Sequence, residues 1–267
     1  MHYCSINGVE SQLITSNDRG LAYGDGLFTT GLVQQNKLLN FDEHLQRLLL
    51  GSKRLGITAP SKSTLISYID QAIANIDKGV VKIIITSGSS GRGYARSLES
   101  KSNCIVMVSD FPEHYETLTE VGIKLGISNQ KIGINPMLSG LKHLNRLEQV
   151  LLRAELEERD EDDLIVLNIE DKVIEATSAN LFYCIEGKWF TPKIEGSGVK
   201  GLMRQNILNK FDNIIVQQTY LDHLSSAQAM FICNSVAGII PVHTYENRPL
   251  SMELVLAVKE ACNESNG

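Results

Sequence analysis

The order of its β-branched and helix-period segments constrains this chain most. Val80 to Thr86 and Asn103 to Val108 are β-branched runs long enough for strands. Between them lies a loop of small residues, Ser87-Gly88-Ser89-Ser90-Gly91-Arg92-Gly93-Tyr94, which reads as a hairpin. Ahead of them, Phe41 to Leu55 carries Leu45, Leu48, Leu49 and Leu55 near one face. Asp42 is placed to cap the start of that helix and Gly56 to stop it. A second helix is expected from Lys62 to Ile76, and the first forty residues read as short strands with turns at Asn7-Gly8 and Asn17-Asp18-Arg19-Gly20. Later come a strand at Gly122 to Ile127, an amphipathic helix at Leu144 to Glu158, and a run of strands from Leu164 to Thr191 turned at Glu170-Asp171 and Glu186-Gly187. A helix follows Gly201, strands cover Ile214 to Gln218 and Ala229 to Cys233, and a last helix starts near Ser251. Strands and helices are mixed without strict βαβ alternation, so the expected class is α+β and not a doubly wound sheet.

Asp110 to Glu120 contains Pro112 and several charges and reads as a linker. The expected division is an N-terminal α+β domain at 1–112, a linker at 113–120 and a C-terminal α+β domain at 121–267. The 267 residues suffice for two modest domains, and 43% hydrophobic with 21% charged residues is globular composition. With 25 Lys+Arg against 31 Asp+Glu the net charge is -6, which argues against nucleic acid or an anionic membrane as partner. Five widely spaced cysteines without a CxxC pair read as buried hydrophobes of a reducing compartment. The six histidines form no HExxH pair, so no metal is expected. Met1 to Gly8 lacks a signal-peptide pattern and no apolar run approaches the ~20 residues of a spanning helix, so a soluble cytoplasmic protein is expected.

Four segments carry possible chemistry. Gly88 to Gly93 lacks the Gly-Lys-Ser/Thr ending of a nucleotide loop, but Arg92 between two glycines puts a planar bidentate cation where a carboxylate can approach. Gly201-Leu202-Met203-Arg204 opens a helix, and its free amides suit a phosphate; the plain alternative is a tight turn. Glu175 precedes Ala176-Thr177-Ser178-Ala179, small residues that let a flat ring lie close, so its carboxylate could face a pyridine nitrogen rather than solvent. Lys142 follows Gly140 ahead of the expected helix, where an ordinary lysine would reach for solvent, and His143 beside it reads as a structural histidine. There is no GxSxG elbow.

Taken in order, these pieces resemble the fold-type IV pyridoxal-phosphate enzymes, which include branched-chain and D-amino-acid aminotransferases. Ser16 to Gly20 with Tyr23-Gly24-Asp25-Gly26-Leu27-Phe28 is similar to the family's N-terminal signature, and His44-Leu45-Gln46-Arg47-Leu48 to its His-Leu-x-Arg-Leu helix. Glu175 to Phe182 is similar to its Glu-x-x-x-x-Asn-Leu-Phe, and Gly201 to Arg204 and Asn234 to Val242 to its phosphate-binding segments. The resemblance implies Lys142 as the Schiff-base lysine, Arg47, Leu202, Met203 and Ser235 on the cofactor phosphate, and Glu175 on the pyridine nitrogen. It implies a homodimer with pyridoxal 5′-phosphate held between two domains. Phe28-Thr29-Thr30, Ser90 to Tyr94 and Lys142 to Val150 look closest to the lyases of the family. Those convert 4-amino-4-deoxychorismate to 4-aminobenzoate and pyruvate in folate synthesis; the alternative is an aminotransferase of D- or branched-chain amino acids. On that reading Lys142 and Thr30 are catalytic, Thr30 by positioning, while Phe28 and Arg92 meet the small-molecule substrate.

Overall fold

The chain leaves its first structural unit at Pro112, returns to it for five residues, and finishes in a second. The computed structural model describes residues 2–89, 93–97 and 99–263. One unit is Met1–Pro112 with Leu141–Asn145, and the other is Glu113–Gly140 with Arg146–Gly267.

The first unit contains β1 (Tyr3–Ile6), β2 (Val9–Glu10), α1 (Arg19–Tyr23), β3 (Gly26–Gln34), β4 (Lys37–Leu38), α2 (Phe41–Leu55), α3 (Lys62–Ile73), β5 (Lys78–Thr86) and β6 (Asn103–Ser109). Its strands form one antiparallel sheet in the order β2-β1-β6-β5-β3-β4. Alternation sends Leu27, Val33, Val81, Ile83 and Ile85 into a core shared with Leu45 and Leu48 of α2 and with Leu65 and Ile69 of α3. Gly56, at φ 65°, ends α2 by donating its N–H to the carbonyls of Ser52 and Lys53. Asp42 lies in the first turn of α2 and is not its cap; that position belongs to Asn40. Helix α3 stops at Ile73, three residues short of the expected end.

The second unit contains α4 (His114–Val121), β7 (Ile123–Ile132), α5 (Leu147–Glu157), β8 (Asp163–Asn168), β9 (Val173–Ala176), β10 (Asn180–Ile185), β11 (Lys188–Pro192), α6 (Leu202–Lys210), β12 (Ile215–Gln217), α7 (Leu221–Ser225), β13 (Ala229–Asn234), β14 (Gly238–Tyr245), β15 (Arg248–Pro249) and α8 (Glu253–Asn263). The sheet runs β12-β11-β10-β13-β14-β7-β8-β9, with β15 on β14, and it is mixed: β7 is parallel to both β14 and β8. Strands β10 and β13 are buried on both faces. Leu181, Tyr183, Met230 and Ile232 enter one core, while Phe182, Phe231 and Cys233 enter another with Ile207 of α6 and Val255 of α8.

Two expectations about the division are revised. Residues 113–120 are not a linker: α4 occupies most of them and packs on β14. Lys142 groups with the first unit and not with the C-terminal one. The expected helix from Leu144 begins only at Leu147, because residues 142–144 bond to β3 instead.

Candidate active site

In the first unit the site is built on one face of β3. Leu27, Thr29, Gly31 and Val33 point to the core, which leaves Phe28 and Thr30 half-buried on the opposite face. The edge of β3 near Gly26 has no partner strand and takes the segment around Lys142. Phe28 donates its N–H to the Lys142 carbonyl at 2.8 Å, Leu144 donates to the Gly26 carbonyl at 3.0 Å, and Leu27 bridges His143. This sets the Lys142 ammonium 4.7 Å from the centre of the Phe28 ring, with Lys82, the cross-strand partner of Thr30, at 5.0 Å from the same ring. Gly24, at φ 63°, makes the approach possible. A Cβ there would stand 2.6 Å from Asn145 Oδ1, and Asn145 donates to the Gly24 carbonyl.

Helix α2 adds Arg47 and, one turn earlier, His44. Burial pulls the Arg47 guanidinium down to about 10. His44 is fully buried, its Nδ1 is 2.6 Å from Thr29 Oγ1, and its Nε2 has no hydrogen-bond partner among the described residues. Burial, with the nearby charges of Arg47 and Lys142, lowers His44 to about 3, so the imidazole is neutral. Lys142 and Arg47 thus make an electropositive patch suited to a phosphate or carboxylate.

The second unit carries Glu175, at the buried end of β9 and 7% exposed. Its Oε2 accepts the Val199 N–H at 2.9 Å and the Asn180 amide at 3.5 Å. Asn180 also donates to the Val199 carbonyl and accepts the Gly201 N–H, tying β10 to the turn that starts α6. A Cβ on Gly201 would fall 2.0 Å from Asn180 Oδ1, so only glycine admits this contact. Gly201 gives α6 no side-chain cap, which leaves the amides of Leu202 and Met203 at the positive end of the helix for an anion. Ser235 lies half-buried in the β13–β14 turn, where Asn234 Oδ1 accepts the N–H groups of Val236 and Ala237.

Of the expected residues, the first unit brings together Phe28, Thr30, Arg47 and Lys142. The second carries Glu175, Leu202, Met203 and Ser235. Arg92 lies outside the described residues. The sequence reading gave His44 a place in a motif but no role, and it missed Lys82, although a lysine inside the run Val80 to Ile85 was a visible signal. It also missed the cluster around Asp25. There Arg19 Nε (2.8 Å), Arg96 Nε (2.9 Å) and Ser87 Oγ (2.6 Å) all donate to Oδ2, and Arg96 makes a further contact with Oδ1. Burial pushes the Asp25 carboxyl up, but hydrogen bonds from Arg96, Ser87 and Arg19 outweigh it and hold the group at about 2. Arg96 also donates to the carbonyls of Leu55 and Gly56, so its guanidinium is committed to structure.

Residues 26–245 match the profile of the amino-transferase class IV family. The chain belongs to that family. Class IV enzymes depend on pyridoxal 5′-phosphate, and each unit by itself carries groups of a kind that fits it: a cationic patch in the first, and free helix amides and a buried carboxylate in the second. Among class IV relatives, aminodeoxychorismate lyase from Vibrio harveyi is 35% identical over 89% of each chain. D-alanine aminotransferase from Listeria innocua is 23% identical over 84% of this chain and 80% of its own. The crystal structure of 4-amino-4-deoxychorismate lyase from Pseudomonas aeruginosa covers 98% of both chains with a TM-score of 0.92 at 31% identity. The branched-chain amino acid aminotransferase of Escherichia coli scores 0.85 at 19%, over 97% of this chain and 92% of its own, a likeness of fold.

Proposed function

We propose that this class IV enzyme is a lyase that converts 4-amino-4-deoxychorismate to 4-aminobenzoate and pyruvate, the step that supplies the aromatic amine of folates. The observation that carries the reading is the seating of Lys142 against Phe28, on the face of β3 that also holds Thr30. These residues come from two of the three stretches most similar to the lyases, and the relatives at 35% and 31% identity bear lyase names.

Bound pyridoxal phosphate supplies an electron sink for the pair left when a proton departs from the substrate's amine-bearing carbon. Arg47 and the amides of Leu202 and Met203 would hold its phosphate, with the Ser235 hydroxyl beside them, and Glu175 would hold the pyridine proton. Lys142 would hold the cofactor through Nζ. With substrate in place, the free Nζ amine would take the proton from ring carbon 4, and the neighbouring enolpyruvyl oxygen would leave as the ring becomes aromatic. The same Nζ then returns a proton to the departing enolpyruvate. A hydroxyl is a poor base near neutrality, so Thr30 orients the enolpyruvyl side chain. Phe28 packs on the substrate. Arg92 takes one substrate carboxylate, a role that the committed donors of Arg96 close to that residue.

The enzyme works as a cytoplasmic homodimer on this reading. In support, α5 exposes Leu147, Val150 and Leu151 at helical spacing, and the described cysteines are all free thiols. No described helix is long and apolar enough to cross a membrane.

Supplying cofactor-loaded protein with 4-amino-4-deoxychorismate tests the reading: 4-aminobenzoate and pyruvate appear in equal amounts. Turnover of D-alanine or a branched-chain amino acid with a 2-oxo acid, and none of the chorismate derivative, would make it an aminotransferase. Borohydride reduction fixes the cofactor on the peptide containing Lys142, and label on any other lysine would sink that assignment.

A further inference from the structure

One end of the second unit's sheet holds a pocket of about 380 Å³ that the chemistry above does not use. Its apolar wall includes Leu118 of α4 and Ile232 of β13; its polar lining includes Asp163 and Arg153, with Glu161, which pairs with Arg159 and Lys124, and Asp162, which accepts the Lys124 N–H. The volume is at the small end of the range for metabolite sites, roughly 300–1,000 Å³.

Asp163 is 6% exposed and its two oxygens are used unequally. Oδ1 accepts the Leu164 N–H at 2.7 Å, the Thr177 N–H at 3.0 Å and the Thr177 hydroxyl at 2.6 Å. Oδ2 accepts no hydrogen bond among the described residues. Burial pushes this carboxyl above its usual range, and Oδ2 is left open to the pocket, where closing it off from water without a donor would be costly. A donor entering the pocket would offset that cost. Arg153 lies on the same pocket and its charge acts on both Asp163 and Tyr115. Its ion pair with Glu157 is exposed and 3.4 Å long, so turning toward another anion sacrifices little.

We propose that this pocket binds a small molecule with a hydrogen-bond-donating amine at one end, a carboxylate at the other and an apolar body between. The amine meets Asp163 Oδ2, the carboxylate meets Arg153, and the body lies on Leu118 and Ile232. Occupancy acts on the cofactor segments, because Thr177 stands two residues after Glu175 and the pocket residue Asn234 directly precedes Ser235. The product assigned above, 4-aminobenzoate, has this chemistry. Its role as the natural ligand rests on that reading, whereas the site itself does not.

The test is calorimetric titration of cofactor-loaded enzyme with 4-aminobenzoate, with benzoate as the probe lacking the amine. Binding is expected to weaken roughly tenfold or more for benzoate and in Arg153→Gln, the loss of one charge-assisted hydrogen bond. Leu118→Trp, which fills the pocket, removes this binding step, and an unchanged cofactor absorbance shows that both variants remain loaded. An isotherm unaltered by both substitutions would put the ligand at the active site and overturn the proposal. So would the absence of binding at millimolar 4-aminobenzoate. Failure of the lyase reading registers separately, as no 4-aminobenzoate formed from the chorismate derivative.

Discussion

Arg47 illustrates how a residue acquires its task from where it stands. Half-buried on α2 and lowered to about 10 by burial, it is a guanidinium held at a desolvation cost that a dianionic phosphate would offset. Arg47→Ala is expected to weaken cofactor retention about ten- to hundredfold, the worth of a charge-assisted contact of roughly 1.5–3 kcal/mol. Cofactor release followed by absorbance measures it; a rise in substrate KM with retention intact would assign Arg47 to the substrate instead. His44, three residues earlier, predicts a pH dependence. Its folded value is depressed to about 3, below the unfolded value near 6.5, so the unfolded chain takes up a proton first as pH falls. Stability therefore drops between about pH 6.5 and pH 3, at up to roughly 1.4 kcal/mol per pH unit from this one group. Melting curves of wild type and His44→Gln should diverge at pH 7 and converge toward pH 4. Parallel curves would show that burial of the imidazole is not what costs stability in acid. His44 and Arg47 were legible as a motif, but the neutrality of His44 was not, because it comes from Thr29 and from charges distant in sequence.

Among elements, α6 carries an imbalance of its own. Arg204 in its first turn is 5% exposed and donates to Thr191 Oγ1 and the Pro192 carbonyl, both neutral. Burial lowers its guanidinium. A buried cation bonded only to neutral acceptors destabilises a protein until a negative charge arrives nearby. Arg204→Met is expected to raise the melting temperature of the apoprotein and to shrink the further rise on adding pyridoxal phosphate. An apoprotein that melts lower in the variant would show that packing by the side chain outweighs its charge. The elements themselves were read with uneven success for physical reasons. Helix α2 was legible because its leucines repeat on one face and Gly56 stops it. Helix α4 was read as linker because Pro112 and the charged residues that follow it also suit exposed coil, and nothing local reveals its packing on β14. The segment around Lys142 was read as a helix start, since hydrogen bonds to β3, more than a hundred residues earlier, leave no mark in local periodicity.

For the whole molecule, the exposed stripe on α5 bears on assembly. Leu147, Val150 and Leu151 are 70%, 60% and 49% exposed, an apolar face that the second copy of the proposed homodimer would cover. Val150→Glu is expected to shift the enzyme toward monomer in sedimentation, with cofactor-loaded activity falling as dimer is lost. A dimer that persists unchanged would move the contact to another face. The Asp25 cluster was invisible to the sequence reading for a reason of the same scale: its arginines lie 6 and 71 residues away, and only the closed fold gathers them.

The return of Leu141–Asn145 to the first unit has a consequence for how the protein is made. A ribosome that has released the first 112 residues has not finished that unit, because the strip that lines β3 is still unsynthesised. The same holds for a gene cut at the boundary: the amino-terminal fragment would lack its closing segment, and Lys142 would travel with the wrong half.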